Sequence, residues 1–203
     1  MKQIGTLAFL CAGLLSSWPA RADNRHAEFS LRLSLTPSAC RPSLSGGGTI
    51  DYGEIPASQL SRTAQTALSA KAITLSVDCD AATYFALRFI DNRAAGDGSP
   101  DFSLGESNDR PVGAYRAKIL QPFSEASPLA LLRSDDDGAL WQEDSAEIAS
   151  GVLYGFALPG KTLPGAHSRV TTELQVQAQL APRDKLPEAA NLDGSATIEV
   201  IYL

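Results

Sequence analysis

Histidine is almost missing from this 203-residue chain: only His26 and His167 occur, and neither stands at metal-ligand spacing from a cysteine. A zinc site, which needs several such ligands, has too few donors here. Basic residues are in deficit, 17 Lys and Arg against 23 Asp and Glu, and they are scattered singly among the acids. Binding to phosphate backbones or anionic headgroups takes clustered cations, so nucleic acid is not an expected partner. No uninterrupted apolar run reaches the ~18 residues that a membrane-spanning helix requires, so no stable membrane insertion is expected. The Gly-x-Ser-x-Gly elbow of serine hydrolases does not occur. Gly46-Gly47-Gly48 lacks the Lys-Ser/Thr that completes a phosphate loop, and reads as a flexible turn.

What the chain does have begins with an export signal. Lys2 supplies the positive start, Ile4 to Leu15 the apolar stretch, and Ala20-Arg21-Ala22 the small-x-small cleavage site. Residues 1–22 are therefore expected to be removed, leaving Asp23 first. Cys11 lies inside that segment, behind Ala8-Phe9-Leu10, too early for lipoprotein cleavage. Loss of Lys2 and Arg21 leaves 15 basic against 23 acidic residues, a formal charge of −8 that keeps the chain soluble and self-repelling. About 181 residues remain, enough for one domain with a full core, and no Pro/Ser-rich linker divides them.

Two cysteines are left, Cys40 and Cys79. An even number in an oxidising compartment predicts a disulfide between them. Closing a loop of about 40 residues stabilises a fold by roughly 3 to 4 kcal/mol in the chain-entropy account.

Apolar residues along the body recur with period two between clusters of Gly, Pro, Asn and Asp, which is a strand pattern. Predicted strands are Phe29 to Leu35, Thr49 to Ile55, Ala72 to Cys79, Tyr84 to Asp91, Gly113 to Gln121, Val152 to Leu158, Arg169 to Leu180 and Ser195 to Leu203. Ser58 to Ala70 reads as either a short helix or a loop. Gly96 to Gly105, Ser134 to Gly138 and Pro182 to Gly194 read as connections. Short strands at this spacing fit a sandwich of two antiparallel sheets.

The first strand places Phe29, Leu31, Leu33 and Leu35 on one face and Ser30, Arg32 and Ser34 on the other. A slip of one residue would turn the leucines to solvent, so this strand needs a defined groove. That groove can lie in its own domain or in another chain.

Cys40, Tyr52-Gly53 and Ile73-Thr74-Leu75-Ser76-Val77-Asp78-Cys79 together resemble the first half of a chaperone–usher pilin subunit. Gly46-Gly47-Gly48, Asp51-Tyr52-Gly53, Asp91-Asn92-Arg93, Gly113-Ala114-Tyr115 and Ile198-Glu199-Val200-Ile201-Tyr202-Leu203, in that order, are similar to the DUF1120 group of fimbrial-like exported proteins. The resemblance implies an immunoglobulin-like, pilin-like sandwich that lacks one strand. It implies a periplasmic fimbrial chaperone that lends a strand, an outer-membrane usher, and neighbouring pilus subunits that replace the lent strand with their N-terminal extensions. Residues 23–39 would be that donor-strand extension, with Phe29, Leu31, Leu33 and Leu35 inserted, and 40–203 the sandwich domain. The C-terminal edge strand, with Ile198, Val200 and Tyr202 on one face, would border the groove. Residues 93 to 111 and 122 to 150 exceed a minimal pilin and read as long loops.

Other chemistries have thinner support. His167 follows Pro164-Gly165-Ala166 and is expected to be a solvated turn histidine, and Glu143-Asp144 to be solvated charge, so no catalytic activity and no cofactor are expected. Ser134-Asp135-Asp136-Asp137-Gly138 does not meet the calcium-loop spacing and reads as an acidic hairpin turn. Trp141 could be a core anchor or a sugar contact. The reading is an all-β, disulfide-bonded fimbrial-like subunit, exported to the periplasm and then to the cell surface, that contributes to adhesion. The alternative is a self-complemented monomeric domain that binds a ligand or carbohydrate.

Overall fold

A computed structural model describes residues 39–94, 100–107, 110–144, 146–187 and 192–203. The expected signal, residues 1–22, and the expected donor residues Phe29, Leu31, Leu33 and Leu35 lie outside the described residues.

The described chain is all-β. Its strands are β1 (Cys40–Leu44), β2 (Thr66–Ala67), β3 (Lys71–Asp91), β4 (Phe102–Ser103), β5 (Glu106–Ser107), β6 (Arg110–Pro111) and β7 (Gly113–Ser124). There follow β8 (Ser127–Pro128), β9 (Ala130–Ser134), β10 (Gln142–Glu143), β11 (Glu147–Ile148), β12 (Leu153–Ala157), β13 (Ala166–Leu180) and β14 (Ala196–Tyr202). Three short 3-10 turns, at Ser45–Gly48, Ala57–Gln59 and Arg183–Lys185, are the only helical elements among the described residues.

The strand β3 organises the rest. Its first half pairs with β1 and β13, and β13 pairs in turn with β7, which makes sheet one. Its second half lies between β12 and β14, with β9 and β10 beyond β12, which makes sheet two. All these pairings are antiparallel. The passage between sheets is a bulge: His167 faces Thr83 and Arg169 faces Asp78, so Ser168 alone opposes Cys79 to Ala82. Extra residues in one strand bend it, and strands that switch sheets turn corners this way. Ala72 to Cys79 and Tyr84 to Asp91, read from the sequence as two strands, are one.

Folding β3 over brings the apolar face of its first half, Leu75 and Val77, against that of its second, Phe85, Leu87 and Phe89. Phe156 meets Phe85 with ring centroids 6.0 Å apart, and Tyr154 meets Phe89 edge-on at 6.1 Å. Such tilted pairs add about 0.5 to 1.5 kcal/mol beyond area burial. Tyr154 is fully buried, yet its hydroxyl accepts from the Ala149 N–H at 2.7 Å and donates to the Glu147 carbonyl at 3.2 Å. The disulfide Cys40–Cys79 joins residues directly opposite in the β1–β3 ladder.

Three expectations are corrected. Thr49 to Ile55 is not a strand but a strap across the end of sheet one. Asp51 Oδ1 accepts from the Gly53 N–H at 2.7 Å, and Gly53 has a φ of 69°, so the backbone turns on itself instead of entering a ladder. Ser58 to Ala70 is neither a continuous helix nor a plain loop, since it holds the turn Ala57–Gln59 and then β2 on β13. Residues 122 to 150 are not a long loop: they contain the end of β7 and the strands β8, β9, β10 and β11. Cys40–Leu44, outside the predicted strands, forms β1 on β3.

The β7–β8 hairpin turns through Glu125 and Ala126, both left-handed at φ 47° and 66°. Two-residue hairpin loops demand this conformation, and glycine meets it without a Cβ clash. Ala126→Gly is expected to raise stability by about 1 kcal/mol, read as a higher thermal midpoint.

Candidate functional site

The candidate site is the open edge of sheet two and the cleft beneath it. The strand β14 carries Ile198 and Val200 inward, where both pack on the core, and Thr197 and Glu199 on the opposite face. Its backbone alternates as well. The Leu203 N–H donates to the Tyr84 carbonyl at 3.1 Å and the Asn92 N–H to the Ser195 carbonyl at 2.9 Å. Those contacts fix the odd-numbered residues of β14 as the ones bonded to β3. The N–H and C=O groups of Ala196, Ile198, Val200 and Tyr202 therefore point away from β3, and among the described residues no strand pairs with them.

Tyr202 closes one end of this edge. Its ring is half exposed, and its hydroxyl accepts from the Cys40 N–H at 2.9 Å, so the last residue of β14 is tied to the first of β1, beside the disulfide. At the other end the two sheets splay around a cleft of about 1160 Å³. Its apolar walls are Ile73, Leu174, Val176 and Leu180 of sheet one and Phe89 and Ile198 of sheet two. The strap of residues 48–57 forms its rim. Tyr52 anchors that strap: its hydroxyl donates to the Val176 carbonyl at 3.0 Å and accepts from the Ala178 N–H at 3.3 Å. Those are β13 groups past the end of the β3 ladder, and Tyr52 supplies the partners that β3 no longer can. Lys71 sits 5.0 Å from the Tyr52 ring centre and also donates to the Asp51 carbonyl. At the base of the cleft Tyr115 stacks on Phe102 at 5.2 Å, and burial, with the Asp91 carboxylate adding, pushes its phenol far up.

The residues weighed for other chemistries are each placed. Asp135 pairs with Arg133 and Asp137 with Arg88, while Asp136 Oδ1 accepts from the Ser134 hydroxyl at 2.7 Å and the Leu140 N–H at 2.9 Å. The three aspartates thus serve separate partners, Asp136 two of them. Those hydrogen bonds hold the Asp136 carboxyl below its ordinary value of 3.8, the Leu140 bond contributing most. A depressed carboxylate pKa favours the fold above the ordinary range and is lost as pH falls through the depressed value. The Leu140 amide resonance should accordingly titrate with a midpoint below that of a free aspartate.

His167 is a correction: it is buried, not solvated, and its Nε2 lies 3.2 Å from the Phe156 carbonyl. His26 lies outside the described residues. Trp141 is half buried over Gly155, whose added Cβ would fall 3.0 Å from the indole and 2.6 Å from Pro164. It roofs a small second apolar layer on the outer face of sheet two, with the buried Leu132 and Leu153 below it. Nothing in the sequence pattern separated this anchor role from a sugar platform.

Residues 31–110 match the family described as "Protein of unknown function (DUF1120)". The chain is 26% identical to the uncharacterized protein YhcF of Escherichia coli K12, over 91% of this chain and 93% of that one. It is 28% identical to the protein GltF of the same organism, over 98% of this chain and 97% of that one. The matched segment holds both disulfide cysteines, the strap and all of β3, and the likeness to both relatives runs nearly end to end.

Proposed function

We propose that this chain is a non-enzymatic, fimbrial-like structural subunit that assembles by donor-strand exchange and contributes to cell-surface adhesion. The observation that carries the reading is the outer edge of β14: four alternate residues, Ala196, Ile198, Val200 and Tyr202, with outward backbone groups, above an apolar cleft between the sheets. Main-chain hydrogen bonds along such an edge give affinity, and pockets for alternate side chains give specificity. The segment with Phe29, Leu31, Leu33 and Leu35 of a neighbouring copy has the alternation this edge requires. Burying those four side chains contributes roughly 6 to 12 kcal/mol before ordering costs. An exposed edge of this kind also invites aggregation, which is the physical reason for a periplasmic chaperone that holds it until an outer-membrane usher presents the next subunit.

The test is a denaturing gel of periplasmic extract from cells expressing this chain with a fimbrial chaperone and usher, run unboiled and boiled. A ladder that collapses to monomer only on boiling supports exchange between subunits. A single monomer band in both lanes overturns it in favour of the self-complemented binding domain.

A further inference from the structure

The outer face of sheet one is a field of paired polar side chains with one gap. Arg169 pairs with Asp78, Lys118 with Glu147 at 3.1 Å, the Ser168 hydroxyl donates to Glu125 at 3.0 Å, and the Gln177 amide to the Leu68 carbonyl at 3.0 Å. Between them lies a concavity of about 610 Å³ around the ring of Phe123, which is 44% exposed.

Two backbone irregularities put that ring outside. In β7 Ala117 and Ile119 point into the core, so strict alternation would send Phe123 inward too. Gln121 instead takes a left-handed φ of 48°, after which Pro122 and Ser124 are the buried residues and Phe123 faces solvent. The facing strand β13 shifts register at the same level, between Thr171 and Glu173. Thr172 turns inward there and its hydroxyl donates to the Leu120 carbonyl at 2.7 Å. Bulges re-aim side chains, and backbone held in a sparsely populated region is a pointer to function.

The polar groups around the ring are unengaged. Thr74, Gln121 and Glu173 line the concavity, and among the described residues their side chains make no hydrogen bond or ion pair. Pro128, opposite Phe123 in the ladder, extends the apolar floor. We propose that this concavity is a binding site for a neutral carbohydrate. The apolar C–H face of a sugar ring lies on Phe123 and Pro128, and its hydroxyls donate to the Glu173 carboxylate and exchange hydrogen bonds with Gln121 and Thr74. The lining has a carboxylate and no cation, which disfavours anionic ligands, and a purely apolar ligand would leave three polar groups without partners. This site stands apart from the β14 edge and does not depend on the strand-exchange reading.

The experiment is ligand-observed saturation-transfer NMR on the exported chain with galactose, mannose, N-acetylglucosamine, lactose and N-acetylneuraminic acid as probes. At least one neutral sugar should receive saturation, Phe123→Ala and Glu173→Gln should each weaken its binding by about tenfold or more, and Tyr84→Ala, an exposed aromatic on sheet two, should leave it unchanged. The melting curves of the variants report their folding, and Glu173→Gln, an exposed isosteric change, keeps the test open should Phe123→Ala unfold. Failure of every neutral sugar, preference for the anionic one, wild-type binding by both site variants, or equal loss in Tyr84→Ala would each overturn the proposal.

Discussion

Leu33→Asp should abolish the joint between subunits that survives an unboiled denaturing gel, while Ser34→Asp one residue away should leave it intact. In the proposed assembly Leu33 of one copy enters the cleft of the next, among side chains such as Ile73, Val176 and Ile198. Replacing it forfeits the burial of a leucine, about 1.5 to 3 kcal/mol. It also brings a carboxylate against those apolar side chains, a further cost of about 2 kcal/mol or more. Together these come to about 3.5 to 5 kcal/mol, a factor of roughly several hundred to several thousand in the equilibrium for one joint. Ser34 lies on the opposite face of the same strand, where a carboxylate stays in water. The pair of variants therefore reads the parity of the inserted strand as well as its presence. The complementary change, Ile198→Asp on the acceptor, should have the same outcome from the other side. Unboiled gels of the variants decide it: a ladder that survives Leu33→Asp, or one that Ser34→Asp removes equally, would sink the assignment of the donor face.

How much of this was legible in the sequence depends on how many faces of a strand are covered. In β13 the alternation of buried and exposed residues survives in the amino-acid order, because one face lies on the core and the other nearer solvent, and in β14 the alternate residues Ile198 and Val200 pack on the core. The strand β9 was missed for the opposite reason. Leu131 points into the main core and Leu132 into the layer beneath Trp141, so its apolar residues are consecutive and carry no period. The strand β1 was hidden by Arg41-Pro42-Ser43, a polar run with a proline, which is tolerated because β1 lies at the margin of sheet one. Conversely, Ile50 and Ile55 gave the strap a strand-like look that its own Asx turn defeats.

The same logic separates the parts of the site. The β14 edge was readable, since Ile198 and Val200 alternate with polar neighbours and the pattern alone places them inward. The cleft was not, because it arises where the two halves of β3 diverge, and its walls come from strands far apart in sequence. The surface around Phe123 was least legible: a single left-handed residue, Gln121, inverts the parity on which any reading of β7 rests. Trp141, the more obvious aromatic, is engaged in packing on Gly155 and Pro164.

Removing the disulfide should cost this domain about 4 kcal/mol, a large effect for a single bond. Cys40 and Cys79 are 39 residues apart, and opening that loop restores to the unfolded chain the freedom the bond denies it. In the folded state the bond fixes one end of β1, a strand of five residues that, among the described residues, pairs with β3 alone. Its other supports at that end are the Cys40 N–H to Tyr202 hydroxyl contact and the Asp80 N–H to Ala39 carbonyl bond at 3.2 Å. Tyr202→Phe removes that single hydrogen bond and should cost only about 1 kcal/mol. Cys40→Ala/Cys79→Ala should show its full loss in urea without reductant, and wild type with reductant should fall to the same midpoint. With the bond gone the Tyr202 contact alone ties the start of β1 to β14, so Tyr202→Phe in the cysteine-free background should cost more than in the wild type. That excess is a coupling energy, measurable by a double-mutant cycle. A strictly additive cycle would mean that disulfide and tyrosine act independently, and that the two sheet margins flanking the cleft are not held by a common clamp.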